Sequence, residues 1–395
     1  MTEHPFFHNH NFYSPAPDEN FLSPLYNSVQ AWGMKDVCCM NHLDFDTQYI
    51  NDFIRQHKDE WIFFFLSYDC LSALTPVSPH PRADVSSPWI VMATADQVLV
   101  NQPPPFYQPF VLNAQMPVQH LSWEQYKSGF DHIMHHIRRG DIYEINYCIP
   151  FSAHVQSINT YEFWLHLCNR QPMPFSMFFD YLDFAWMSAS PERFFIKSNH
   201  LIRSQPIKGT RKHSHPLDRH FDKMQLLNSM KDRTENVMTV DVTRNDLSKI
   251  SIPGSVHVDE LFGVYSFPDW YQLVSTVSAQ LLPNIQFMDI IRAMFPMASM
   301  TGAPKIKAME LIHQFEPLPR GPFSGSLGYI DPHGNIDANV LIRSVFFNHN
   351  LQQLSFWAGG AITASSVAID EYNECLLKSS AIQSLFNPST HDICR

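Results

Sequence analysis

The chain has 395 residues, 45% of them apolar and only 16% charged, with a formal net charge of −11, a globular composition ample for a sizeable core. With this acidic balance and neither a basic block nor a basic amphipathic helix, nucleic acid and anionic membrane are excluded as electrostatically favoured partners. The seven cysteines are scattered without C-x-x-C spacing, so neither a disulfide framework nor a zinc site is indicated.

A soluble protein of a reducing cytoplasm is expected. "MTEHPFFHNHNFYSP" lacks the features of a signal peptide, and no apolar stretch approaches membrane-spanning length. His4, His8 and His10 read as a frayed tail rather than a metal site. Residues 1–115 read as short strands and loops, with "WIFFFLSYDC" (61–70) and "WIVMATADQVLV" (89–100) separated by "LTPVSPHPRADVSSP". No chemistry is visible there.

Trp123, Tyr126, Phe130, Ile133 and Ile137 recur every three or four positions, which predicts a helix over 122–140 ending at Gly140. Residues 174–210 read as antiparallel strands turning at "SNH". A long helix is expected over 216–248, with Phe221, Met224, Leu227, Met230, Met238 and Val242 near one face. Two helices interrupted by "PMASMTGAP" follow over 285–316. "SGSLGYID", "NVLIRSVFF" and "LQQLSFWAGGAI" read as a meander turning at "PHGN" and "NHN". The last helix covers 367–386. Runs of strands followed by runs of helices favour α+β over a doubly wound sheet.

Four groups could carry chemistry. In "SQPIKGTRKH" (204–213), Lys208 stands near Arg203, Arg211 and Lys212. A nucleophilic lysine needs burial or neighbouring cations to bring its pKa from about 10.4 toward roughly 7–8. These three cations could supply that field if the fold gathers them; a solvent-facing strand lysine is the other reading. Glu192 in "SPER" could oppose Lys208 as an acid/base partner, or could be a surface-turn glutamate. Glu235, Asp241 and Asp246 lie among apolar residues of one helix, and Glu371, Glu374 and Lys378 form a stripe on another. Two carboxylates from separate helices suit Mg²⁺, with solvated helix faces as the alternative. In "SMTGAPKIKAMELI" (299–312), Thr301 could cap a helix start with Pro304 in its first turn, leaving amides for an anion. "WAGGAIT" (357–363) reads as a second small-residue turn of that kind. Either could be a tight connection only.

In order, "GDIYEIN", "SPER", "PIKGTR", "ENVMTVDVTRNDL", "LVSTV", "TGAPKIKAMELI", "GSLGYI", "IRS" and "EYNECLLKSSAI" resemble the chorismate-utilising enzymes over about 120–385. The resemblance implies an α+β sandwich of two antiparallel sheets with helices outside and the active site between the sheets. It makes 116–388 the chorismate-binding catalytic domain, with 1–115 part of the same sandwich or a small lobe. By resemblance, Glu235 and Glu374 are the Mg²⁺-binding glutamates and Glu192 the general acid. Gly209, Thr210, Tyr329, Arg343, Gly359 and Gly360, with Ala361 and Lys378 beside them, match positions that hold the carboxylates and ring of chorismate.

Lys208 discriminates within the family. P-I-K-G-T is typical of the branch that makes 4-amino-4-deoxychorismate, on the route to 4-aminobenzoate and folate, with the lysine as nucleophile. Anthranilate synthases usually carry a small residue there and are the runner-up; a non-catalytic chorismate-binding relative is the third reading. Isochorismate synthases carry a general-base lysine where this chain has Glu144, which disfavours water activation. No glutaminase elbow is recognisable, so the resemblance implies ammonia from a separate glutamine amidotransferase subunit. Gln272, Met297, Ala298, Ala358 and Ala361 depart from the family pattern by adding bulk or removing a titratable group.

Overall fold

The computed structural model describes residues 6–9, 25–83, 87–102, 112, 114–213, 219–267 and 270–386. His4, His10 and Cys394 lie outside the described residues. The strand Ile62–Leu66 is buried at every position, which explains why "IFFFL" is an unbroken apolar run rather than an alternating one. It lies between Ile90–Val100 and Ser326–Ile330, so the N-terminal region is built into the same sheet as the C-terminal third.

That first sheet runs in the order Ser28–Met40, Ile90–Val100, Ile62–Leu66, Ser326–Ile330, Ile336–Asn339, Arg193–Ser198, Leu201–Gln205 and Trp270–Gln280. Ile207–Lys212 and His257–Ser266 also pair with Trp270–Gln280. The second sheet runs Phe175–Tyr181, Phe184–Ser190, Ser344–Asn348, Gln353–Thr363 and Glu144–His154, with Val118–Gln119 and Gly302–Ala303 beyond. The pairs are antiparallel throughout, and Phe6–Asn9 bridges the sheets by pairing with both Ser28–Met40 and Phe175–Tyr181.

The sheets pack face to face. Phe65 of the first stacks on Trp186 of the second, centroids 4.1 Å apart, inside a core that also takes Val91, Leu327, Phe179 and Phe346. The outer face of the second sheet buries a separate cluster, including Tyr126, Ile133, Trp164, Phe356 and Ile382. This cluster lies under the helices Trp123–Arg139, Thr160–Arg170 and Ala368–Gln383. The architecture is the expected α+β sandwich.

Local chemistry sets the element ends. Trp123–Arg139 starts with a Ser122/Gln125 capping box and stops at Gly140, whose φ of 80° suits glycine. The helix expected over 216–248 is two, Arg219–Leu227 and Met230–Ser248, because Ser229 accepts from the Asp232 amide and caps the second. The expected meander is two hairpins in different sheets: Ser326–Ile330 with Ile336–Asn339, and Ser344–Asn348 with Gln353–Thr363. Residues 340–343 cross between them, and Arg343 takes a φ of 53°. Thr301 does not cap a helix. Its hydroxyl donates to Met297 O at 3.1 Å, and the next helix, Lys305–Phe315, has Pro304 at its N-cap. "WAGGAIT" is likewise no turn but the end of the strand Gln353–Thr363.

Candidate active site

A cavity of about 470 Å³, a size that suits a small-molecule ligand, collects residues from both sheets and two helices. Ten of the twelve residues expected as catalytic, ligand-binding or metal-binding line it: Glu192, Lys208, Gly209, Thr210, Glu235, Arg343, Gly359, Ala361, Glu374 and Lys378. Gly360 and Tyr329 do not. Gly360 faces the acidic helix instead: a Cβ there would lie 3.5 Å from Glu371 Oε2 and 3.6 Å from Glu374 Oε1. Tyr329 is buried in the core, its ring against Tyr26 and Trp61 at centroid distances of 6.1 and 5.7 Å. Its strand sits at the centre of the first sheet, between Ile62–Leu66 and Ile336–Asn339.

Lys208 reaches the cavity through a β-bulge. The register between Ile207–Lys212 and Trp270–Gln280 slips between Ile207 and Thr210, and Gly209 in this slip has a φ of 89°, a conformation that favours glycine. A Cβ at Gly209 would also meet Asp232 Cβ at 2.8 Å. Lys208 is only 8% exposed, and its Nζ lies 2.5 Å from Glu144 Oε1. The expectation of surrounding cations is corrected for Arg203 and Arg211, while the Lys212 side chain lies outside the described residues. Arg203 pairs with Asp259 and Arg211 with Asp222, while carboxylates surround Lys208. Burial alone would push the Lys208 pKa down, but Glu144, Glu235 and Glu192 outweigh it and hold the ammonium above the ordinary lysine value.

Glu192 is 3% exposed, so the surface-turn reading fails. It accepts from the Ile207 amide at 3.4 Å, and burial pushes its pKa up to about 7. Glu235, on Met230–Ser248, is also raised to about 7: burial does most, Glu144 and Asp232 add to it, and Lys208 and Lys231 oppose it. Glu374 goes the other way, held at about 2 chiefly by Lys378, whose Nζ lies 2.6 Å from it. Glu371 pairs with Lys231 at 2.7 Å. Asp241 and Asp246 stay out of the cavity, the first in an exposed pair with Arg244 and the second between Lys249 and Lys305.

Among the described residues no group of three or more His, Cys, Asp or Glu is placed to hold a metal by itself. Glu235 Oε1 is buried without a hydrogen-bond partner among them. A carboxylate oxygen with no hydrogen bond and only Lys231 Nζ at 4.0 Å, in a cavity shared with Glu374, fits a hard cation that completes its shell with water and ligand oxygens.

The opposite wall suits an anion. Gly359 faces Cys148 and Ala361 faces Asn146 across the ladder, yet the Cys148 amide donates to Glu316 Oε1 and the Asn146 amide to Thr301 O. These are therefore non-hydrogen-bonded pairs, and the N–H groups of Gly359 and Ala361 point away from that strand. They point to the side where Lys378 Nζ meets Gly359 O at 2.9 Å. Arg343 stands nearby, Nη1 donating to Lys378 O at 2.9 Å. Burial lowers its pKa to about 10, against the pull of Glu374, so it remains a cation at neutral pH.

Sequence reasoning misses Lys231, Asn146 and Trp357, which also line the cavity. Lys231 carries a signal, its i, i+4 spacing from Glu235; the other two carry none. Of the departures from the family pattern, Gln272, Ala358 and Ala361 line the cavity, whereas Met297 and Ala298 line a small neighbouring hollow.

Residues 38–384 match the family described as chorismate binding enzyme. The chain is 39% identical over 255 residues to aminodeoxychorismate synthase component 1 of Escherichia coli (strain K12), a match covering 64% of this chain and 56% of that protein. It is 37% identical over 264 residues to the chloroplastic aminodeoxychorismate synthase of Arabidopsis thaliana, covering 66% of this chain and 28% of that protein. The matched segment thus spans little more than half of the first relative and less of the second. Anthranilate synthase component I from Streptococcus pneumoniae TIGR4 shares the fold with a TM-score of 0.78 at 22% identity, over 90% of this chain and 91% of that one. The menaquinone-specific isochorismate synthase from Escherichia coli does so with a TM-score of 0.73 at 15% identity, over 97% and 89%. With a family match running through both sheets and the cavity between them, this chain belongs to the chorismate-binding enzymes.

Proposed function

We propose that this chain is a synthase subunit that converts chorismate and ammonia to 4-amino-4-deoxychorismate and water. The carrying observation is the buried amine of Lys208 in one cavity with Glu192, a carboxyl raised to about 7. An amine nucleophile splits one difficult substitution into two easier ones through a covalent intermediate, and a carboxyl half-protonated at neutral pH is suited to donate to a leaving hydroxyl. The names of the relatives from Escherichia coli and Arabidopsis thaliana support the same reading.

Lys208 Nζ adds to carbon 2 of chorismate as the ring double bonds shift, and the 4-hydroxyl departs as water with the proton of Glu192. Ammonia then adds to carbon 4, Lys208 is expelled, and the proton shed by the new amine restores Glu192. Arg343 offers a planar fork to one substrate carboxylate, and the Gly359 and Ala361 amides offer donors to an anionic group. Glu235 and Glu374 would hold Mg²⁺, which when bound would neutralise the ring carboxylate. The name "component 1" of the relatives supports a second subunit, a glutamine amidotransferase, as the source of ammonia. The free thiols of Cys38, Cys39, Cys70, Cys148, Cys168 and Cys375 support a reducing, cytoplasmic setting.

The test is product identification from chorismate, Mg²⁺ and ammonium, with and without an added aminodeoxychorismate lyase. The expected product is 4-amino-4-deoxychorismate, converted to 4-aminobenzoate when the lyase is present. Anthranilate as the product, or binding of chorismate without turnover, overturns the reading.

A further inference from the structure

The Lys208 ammonium cannot attack carbon 2 until it loses a proton, and at 8% exposure it has little access to bulk water. Four carboxylates influence it, each from a different element: Glu144 at the start of Glu144–His154, Glu192 between two strands, Glu235 on Met230–Ser248 and Glu374 on the last helix. Three of them have other duties on the reading above. Glu192 must keep its own proton for the leaving hydroxyl, and Glu235 and Glu374 would hold the cation. Glu144 lies 2.5 Å from Nζ, and its strand is held on both sides, with Glu144 opposite Ala303 and opposite Thr363.

We propose that Glu144 is a catalytic proton acceptor that frees the Lys208 amine for attack and returns the proton when the amine is expelled. This rests on the proposed amination chemistry and adds one step to it. A proton passes from Nζ to a Glu144 carboxylate oxygen, and the released electron pair forms the bond to carbon 2. The bond from carbon 4 to oxygen breaks, and the oxygen leaves as water with the Glu192 proton. When ammonia adds to carbon 4, the bond from carbon 2 to Nζ breaks and Nζ recovers its proton from Glu144. The new ammonium gives its extra proton to Glu192. Chorismate and ammonia go in, the amino product and water come out, and both carboxyl groups end as they began.

Glu144→Gln distinguishes this role from simple charge pairing, because the two predict opposite directions. Without the carboxylate, the largest influence that raises the Lys208 pKa is gone, so more of the amine is neutral at a given pH. If Glu144 only held the ammonium in place, Glu144→Gln would form the lysine adduct faster at pH 7. If it accepts the proton, the variant forms it about 100-fold more slowly or worse.

The experiment mixes the full chain with chorismate and Mg²⁺, omits ammonia, quenches, and follows by intact mass the Lys208 adduct from pH 6.5 to 9.5. Adduct formation in the parent should follow the Glu192 acid, level below pH 7 and falling about tenfold per unit above it, whereas the Glu144→Gln rate should stay level above pH 7, because solvent deprotonation of Lys208 gains what the loss of the Glu192 proton takes away. Glu144→Asp, which keeps a carboxylate one methylene back, should recover part of the rate and the parent's fall above pH 7. It also supplies the readout if Glu144→Gln does not fold. A Glu144→Gln adduct rate at or above the parent at pH 7, or a loss equal at every pH, overturns the role; a Glu144→Asp profile as level above pH 7 as the expected Gln one does too. If the parent itself yields neither adduct nor 4-amino-4-deoxychorismate, the amination reading has failed and this step falls with it.

Discussion

The Arg320 guanidinium holds the Glu316 carboxylate through two hydrogen bonds, Nε to Oε2 at 2.9 Å and Nη2 to Oε1 at 2.7 Å, with both side chains almost wholly buried. The same guanidinium donates to Met300 O and Asn146 O, and both Met300 and Asn146 line the cavity. Removing one partner strands a buried charge. Glu316→Gln or Arg320→Met should therefore cost about 3–5 kcal/mol of stability, read by chemical denaturation. A loss under about 1 kcal/mol would show that the pair is not the anchor of this wall.

Lys208→Ala strands the buried Glu144 carboxylate and should lower stability; in the protein that remains folded it should reduce formation of the amino product by about 100-fold or more, as losses of nucleophiles commonly do. Direct attack by ammonia accounts for any residue. Turnover at the parent rate in a chorismate and ammonium assay would remove the nucleophile from the mechanism.

Glu192, raised to about 7 by burial, should write the alkaline limb of the rate profile. Its acid form is present below that pH and is lost as pH rises through it. The parent kcat should accordingly fall about tenfold per unit above pH 7. Glu192→Gln should be slower by about 100-fold or more and should lack this limb. A parent kcat that is level from pH 6 to 9 would assign the proton to another group.

Cation binding should release a proton, because Glu235 is raised to about 7 whereas Glu374, held at about 2, is already ionised. Below pH 7 a proton competes for Glu235, so Mg²⁺ affinity should weaken about tenfold per unit as pH falls from 7 to 5. Calorimetry in buffers of different ionisation enthalpy should report close to one proton released at pH 6 and almost none at pH 8.5. Glu235→Ala should abolish the release; binding without any release at pH 6 would put the cation elsewhere.

Two adjacent glycines should respond differently to alanine. A Cβ at Gly359 would run into Cys148 Sγ and lie 2.9 Å from Tyr147 O, so Gly359→Ala should lower stability by roughly 1–3 kcal/mol. At Gly360 the same methyl has room beside Glu374 Oε1 at 3.6 Å. Gly360→Ala should keep its melting temperature and weaken Mg²⁺ binding. Equal melting temperatures for the two variants would contradict this packing.

Much of the architecture is legible along the chain because its signals are local. The apolar period and Gly140 mark Trp123–Arg139, and "IFFFL" marks a strand buried on both faces. Lys208, Glu192, Glu235 and Glu374 could each be picked out, and they do share one cavity. Errors arose where the deciding contact was distant or the cue ambiguous. "WAGGAIT" has the composition of a turn, yet it is held as a strand by pairing with a segment about 210 residues earlier. The burial of Tyr329 was not legible either, since the distant pairing of its strand with Ile62–Leu66 sets it.

The sequence by itself determined the α+β class, most element positions and the residue types available for chemistry, since propensity, capping and period act over a few neighbours. Tertiary structure alone decided their electrostatics. Arg203 and Arg211 are near Lys208 in sequence but are drawn to Asp259 and Asp222, while Glu144, 64 residues away, meets its Nζ. Neighbours along a strand alternate in direction, whereas charges brought together in a cavity of low dielectric interact strongly whatever their separation in the chain.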